Sequence, residues 1–185
     1  MTLLKIARLG HPVLLQPAMP VADPRAPEMQ RLAADMVETM LDARGLGLAA
    51  PQVHQSLRLL VALPIAAREE PRDVAPLVLF NPELEPAGEE REEGLEGCLS
   101  IPGLRGFVPR WRTVRWRGLD FAGEPVEGVA EGLFARVLQH EVDHLDGILY
   151  LARMSDTRRL AFEAELPHLM EWMDEHSSGG DGADE

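Results

Sequence analysis

The pentapeptide His140-Glu141-Val142-Asp143-His144 constrains this chain more than any other feature. On an α-helix, residues four apart lie one above the other on a single face. His140 and His144 can therefore reach one cation, while Glu141, beside His140, can touch a water on it. Leu133 and Val137 fall on the same face. The ligand-bearing face is thus also the apolar face, so this helix has to be central and buried.

The rest of the chain is read around that helix. Its 185 residues suffice for one domain with a sizeable core and no disulfide help. The expected organisation is a single domain over 1–176 followed by a disordered Ser, Gly and acid tail over 177–185. A formal net charge of -13 argues against direct binding to a nucleic-acid backbone, which needs clustered Lys and Arg. The run Arg110, Arg112, Arg115 and Arg117 has strand-like spacing and reads as a solvated strand face. The one cysteine, Cys98, fits a reducing compartment and turns attention to metal or nucleophile chemistry. No export signal opens the sequence, and no apolar run approaches the ~20 residues needed to span a bilayer. A cytoplasmic location is expected.

Apolar residues at helical spacing predict a helix over 27–43, beginning at Pro27 and ending before Gly45. Strands are expected over 57–63 and 77–80, the second stopping at Asn81-Pro82, and a surface loop over the acidic stretch 83–96. Residues 113–119 and 124–129 read as a hairpin turning at Ala122-Gly123. The His-bearing helix is placed over 131–146 with Gly147 as its C-cap. A last helix is placed over 155–176, interrupted or kinked near Pro167. Trp111 and Trp116 read as packing residues, and His11, His54, His168 and His176 as structural or surface residues.

Two histidines need a third ligand. A metzincin-like site would place a histidine at 150, where this chain has Tyr150. A thermolysin-like site would draw on Glu163 or Glu165, and nothing around them supports it. The remaining candidate is Cys98 in Glu96-Gly97-Cys98-Leu99-Ser100. Glu96 itself reads as surface charge, ahead of a carboxylate orienting Arg105 or neighbouring backbone.

Together with Gly45-Leu46-Gly47-Leu48-Ala49-Ala50-Pro51-Gln52 and Gln139-His140-Glu141-Val142-Asp143-His144-Leu145-Asp146-Gly147, the cysteine segment resembles, in order, the three signature motifs of peptide deformylases. The similarity runs from about residue 3 to 160. It implies an α+β fold with mixed or antiparallel sheets around a central metal-binding helix. It also implies a metal-dependent hydrolase that removes the formyl group from the N-terminal formylmethionine of nascent chains and releases formate. The implied metal ligands are Cys98, His140 and His144, with Fe2+ as the expected ion and Zn2+, Ni2+ or Co2+ as replacements.

Glu141 is the implied proton acceptor and donor, and the Gln52 side chain and Leu99 N–H the implied oxyanion donors. Gly45 and Gly47 would let an extended peptide pair as an added strand, with Leu46, Arg105, Leu133, Arg136 and Val137 around the methionine side chain. At Arg136 many bacterial members carry an aliphatic residue, and 135–139 is similar to the organellar-type subgroup, although the lack of a transit-like leader favours a bacterial protein. Some relatives dock on the ribosome through a basic terminal helix. Here that segment is dominated by Glu163, Glu165, Glu171, Asp174 and Glu175, so ribosome proximity is expected to be transient at most.

The readings that compete with a deformylase are a closed metal site that only staples the fold and an endopeptidase of the same zincin chemistry. Glu141 opposes the first, because a structural site has no use for a carboxylate beside an open ligand position.

Overall fold

In the computed structural model, which describes residues 2–64 and 74–177, strand period and helix period divide the core between two faces of one sheet. β1 (Gly47–Ala49), β2 (Leu59–Ala62), β3 (Leu77–Pro86), β6 (Thr113–Leu119) and β7 (Pro125–Glu131) form that sheet in the order β1-β2-β3-β6-β7. β4 (Arg91–Cys98), β5 (Ile101–Trp111) and β8 (Leu160–Phe162) form a second sheet in the order β4-β5-β8. The pairings are antiparallel, with one isolated parallel bridge between Met19 and Leu57. With three α-helices among the described residues, this is an α+β architecture. None of those helices is long and apolar enough to cross a membrane.

Alternate residues of β2 serve opposite faces, as a pleated strand requires. Leu59 and Val61 pack with Met36 and Met40 of α1 (Pro27–Asp42). Leu60 and Ala62 pack with Ala135, Leu138 and Leu145 of α2 (Gly132–Leu145). A third cluster, including Ala7, Leu14, Leu149 and Tyr150, fills the space beside β5. α1 begins at a proline and closes with Gly45 N–H donating to Met40 O at 2.8 Å and Arg44 N–H to Leu41 O at 3.1 Å, with Arg44 itself in the left-handed region at φ 54°. α2 ends the same way, with Gly147 at φ 74° and Ile148 N–H donating to Asp143 O at 2.8 Å. Gly147 is required twice over, since a Cβ there would lie 2.8 Å from the backbone nitrogen of Gln16.

Three expectations are corrected. β3 does not stop at Asn81-Pro82. It passes through a bulge in which Asn81 takes φ 50° and its side chain bonds both N–H and C=O of Val21, after which pairing to β6 resumes. The acidic stretch 83–96 is strand at both ends, not loop, because its carboxylates have cross-strand or neighbouring arginines: Glu83 with Arg117, Glu85 with Arg115, and Glu90 with Arg112. The helix expected over 155–176 begins only at α3 (Leu166–Ser177), so the break foreseen near Pro167 is where the helix starts, with the proline in its first turn. Ahead of it, residues 160–162 add a strand to the free edge of β5, so tertiary pairing overrides local helix preference. The expected tail lies outside the described residues beyond Ser177.

Candidate metal centre and substrate cleft

Helical spacing brings the His140 and His144 rings to 5.0 Å between centroids. The end of β4 supplies the third group: Cys98 Sγ lies 3.2 Å from His144 Nε2, and one ligand atom from each of the three residues falls within 4.8 Å of the others. Around the sulfur, Ser100 N–H donates at 3.4 Å and Gln52 Nε2 at 3.5 Å. Glu163 and Glu165 stand outside this group, Glu163 being paired with Arg105.

His140 is oriented from behind. Its Nδ1 lies 2.9 Å from Glu96 Oε2, which turns Nε2 toward the other ligands, and its ring stacks at 6.0 Å on Tyr150. Glu96 is therefore not surface charge, and its partner is not Arg105. It is buried, with Arg110 Nε and Nη2 at 2.8 and 3.1 Å and Arg136 Nη1 at 2.9 Å. Burial alone would raise its pKa, but hydrogen bonds from His140 and Arg110 hold the carboxyl at about 2.

Arg110 likewise departs from the solvated-face expectation. It is buried and reaches Asp143 at 2.5 Å as well as Glu96, and Arg153 covers the other side of Asp143 at 2.7 Å. Two carboxylates thus tie β4, β5 and α2 together through charge-assisted bonds. Sequence reasoning missed this network. The available signal was the alternation along β4, which puts Glu96 on the same side as Cys98.

Glu141 is buried, and burial raises its carboxyl to about 7. Its Oε2 has no hydrogen-bond partner among the described residues, which is costly unless a ligand completes it. Gly47 owes its identity to this carboxylate, because a Cβ there would sit 2.7 Å from Glu141 Cγ. Gly45 is similarly confined, 2.8 Å from Leu99 Cδ1. Gln52 is held with its Oε1 accepting from Ala49 N–H at 2.8 Å, which aims its amide nitrogen at Cys98 and Ser100.

These groups open onto a cleft of about 550 Å³. Its walls are two sheet edges, β1 on one side and the β4–β5 turn on the other. Gly45, Leu46, Gly47, Gln52, Cys98, Leu99, Arg105, Leu133, Arg136, Val137, His140 and Glu141 all line it, and His144 lies buried beneath at 1% exposure. Arg136 brings no free charge to the wall. Besides Glu96, its guanidinium donates to the carbonyls of Val108 and Glu92, both at 2.7 Å, and Gly94 at 3.3 Å.

The donor set fits a divalent transition ion: one thiol and two imidazoles converge, and a carboxylate with one unpartnered oxygen lines the same cleft. The family model for polypeptide deformylase matches residues 3–160. The chain belongs to the peptide deformylase family. It is thus a metal-dependent hydrolase that removes the N-formyl group from formylmethionine. Peptide deformylase 1 of Bordetella pertussis is 47% identical over 161 residues, covering 85% of this chain and 90% of that one. The Met-Ala-Ser-bound class I type b peptide deformylase of Acinetobacter baumannii is 40% identical, with a TM-score of 0.74 over 83% of this chain and 99% of that one. The deformylase of Thermotoga maritima is 35% identical, with a TM-score of 0.76 over 84% of this chain and all of that one, 100%.

Proposed function

We propose that Cys98, His140 and His144 hold one divalent metal ion, Fe2+ in the cell, and that Glu141, Gln52 and Leu99 carry out the deformylation. The observation that supports this most strongly is the buried carboxylate oxygen of Glu141, unpartnered and beside the three converging ligand atoms. When bound, the ion supplies Lewis acidity and makes a water acidic enough to lose a proton near neutral pH.

Glu141 takes that proton as the formyl carbon is attacked, then delivers it to the departing amine. Gln52 Nε2 and Leu99 N–H donate to the oxygen that becomes negative, and Gln52 is already fixed by its bond from Ala49. Release of formate leaves a free amino terminus. The substrate is a nascent formylmethionyl chain, extended along the free edge of β1 beside Gly45 and Gly47, with its methionine toward Leu46, Leu133 and Val137.

The working compartment is the bacterial cytoplasm, and any approach to the ribosome is transient. α3 contributes Glu171, Asp174 and Glu175, whereas Arg158 and Arg159 precede it and pair with Asp156 and Glu93. The direct test of the ligand set is metal stoichiometry. Wild type purified without oxygen should retain one ion per chain, and Cys98→Ala should lose it on dialysis. An ion retained in full by Cys98→Ala would remove the thiolate from the site.

A further inference from the structure

Acidic residues outnumber basic ones 31 to 18 in this chain, yet the mouth of the cleft is lined the other way. Arg8, Arg44 and Arg105 reach it from three separate segments, and of its three carboxylates Glu96 and Glu141 are buried, leaving Glu163 as the one exposed. We propose that this rim selects formylated peptides carrying an acidic side chain at the first or second residue after methionine, and that Glu163 occupies Arg105 until such a side chain replaces it.

The placement of each group supports this reading, which rests on the cleft being the peptide site. Arg105 stands opposite Gly97 in the β4–β5 register, and a Cβ on Gly97 would lie 2.7 Å from Arg105 Cδ, so the glycine makes room for the arginine stem beside the metal-ligand strand. Its guanidinium meets Glu163 at 2.6 Å with both side chains about half exposed, at 41% and 51%, an arrangement a competing carboxylate can enter. Arg44 closes the last turn of α1 in the left-handed conformation, a place that favours glycine, and leads directly into Gly45-Leu46-Gly47. It makes no side-chain hydrogen bond or ion pair with the described residues. Arg8 donates to the carbonyl of Leu99, which holds its charge over the same rim. A peptide lying along β1 would carry its residues beyond methionine out between these cations.

The test uses the iron-loaded enzyme and C-terminally amidated peptides, so that no terminal carboxylate supplies the anion. Formate release is measured from formyl-Met-Glu-Ser, formyl-Met-Lys-Ser, formyl-Met-Ala-Glu and formyl-Met-Ala-Lys amides. In at least one pair kcat/KM should favour Glu over Lys by about tenfold at low salt, shrinking toward one near 1 M salt. Arg44→Asn, which suits the left-handed backbone, should lower that ratio about threefold, whereas Glu163→Gln should raise it. A ratio at or below one in both pairs overturns the assignment, as does a ratio that neither substitution moves. Absence of formate from every peptide would overturn the reading of the cleft itself.

Discussion

Glu96 Oε2 sits 2.9 Å from Nδ1 of His140, so a carboxylate on β4, two residues before Cys98, fixes which ring nitrogen His140 offers to the ligand group. Glu96 in turn is fixed by Arg110 and Arg136. Replacing it with Gln should weaken metal affinity by about 10- to 100-fold, as loss of such orienting partners does. It should also destabilise the fold, because buried Arg110 is then left with Asp143 as its one anionic partner and Arg136 with backbone carbonyls alone. Metal titration with a chelating competitor checks the first effect and urea unfolding the second.

Gly47→Ala places a methyl against Glu141. Turnover should fall by at least about a hundredfold, since a shift of about 1 Å in a reacting group has that cost. Metal content should stay at the wild-type value, because neither residue is among the three converging ligands. Steady-state kinetics with metal analysis on one preparation separate these outcomes, and loss of metal together with activity would show that Gly47 supports the ligands instead.

Gln52→Leu removes the amide proposed to donate to the reacting oxygen and leaves Ala49 N–H without its partner. A fall in kcat of roughly a hundredfold or more is expected, as one such donor is worth ~3–4 kcal/mol. The change in KM should be small by comparison, because the interaction strengthens only as the oxygen becomes negative.

Met36 and Met40 are fully buried between α1 and the sheet. Met36→Ala should lower stability by about 2–5 kcal/mol and Tm by about 5–15 °C. Activity per folded molecule should be unchanged, since Met36 does not line the cleft. Calorimetry beside an assay at low temperature tests both parts.

Local pattern carried much of this structure. Proline at the start of α1, glycine after α2 and the period of the apolar residues placed both helices within a residue or two, and the hairpin of β6 and β7 followed from its turn. Every lining and ligand residue named from sequence meets at one cleft or just beneath it. Less legible was whatever depends on partners distant in sequence. Glu83 looks like loop until Arg117 is set beside it, and Arg110 looks like surface until Glu96 and Asp143 enclose it. Residues 160–162 look helical until the edge of β5 offers hydrogen bonds. Composition cannot distinguish a buried charge from a solvated one, because the difference lies in what packs against it.

The most direct test of the account is formate release from formyl-Met-Ala-Ser by the iron-loaded protein, measured beside Glu141→Ala with metal content determined for both. Rapid release by wild type, loss of at least about a hundredfold in the variant and one retained ion in each are predicted. Comparable release by Glu141→Ala with its metal retained would contradict the role given to that carboxylate and, with it, the central claim.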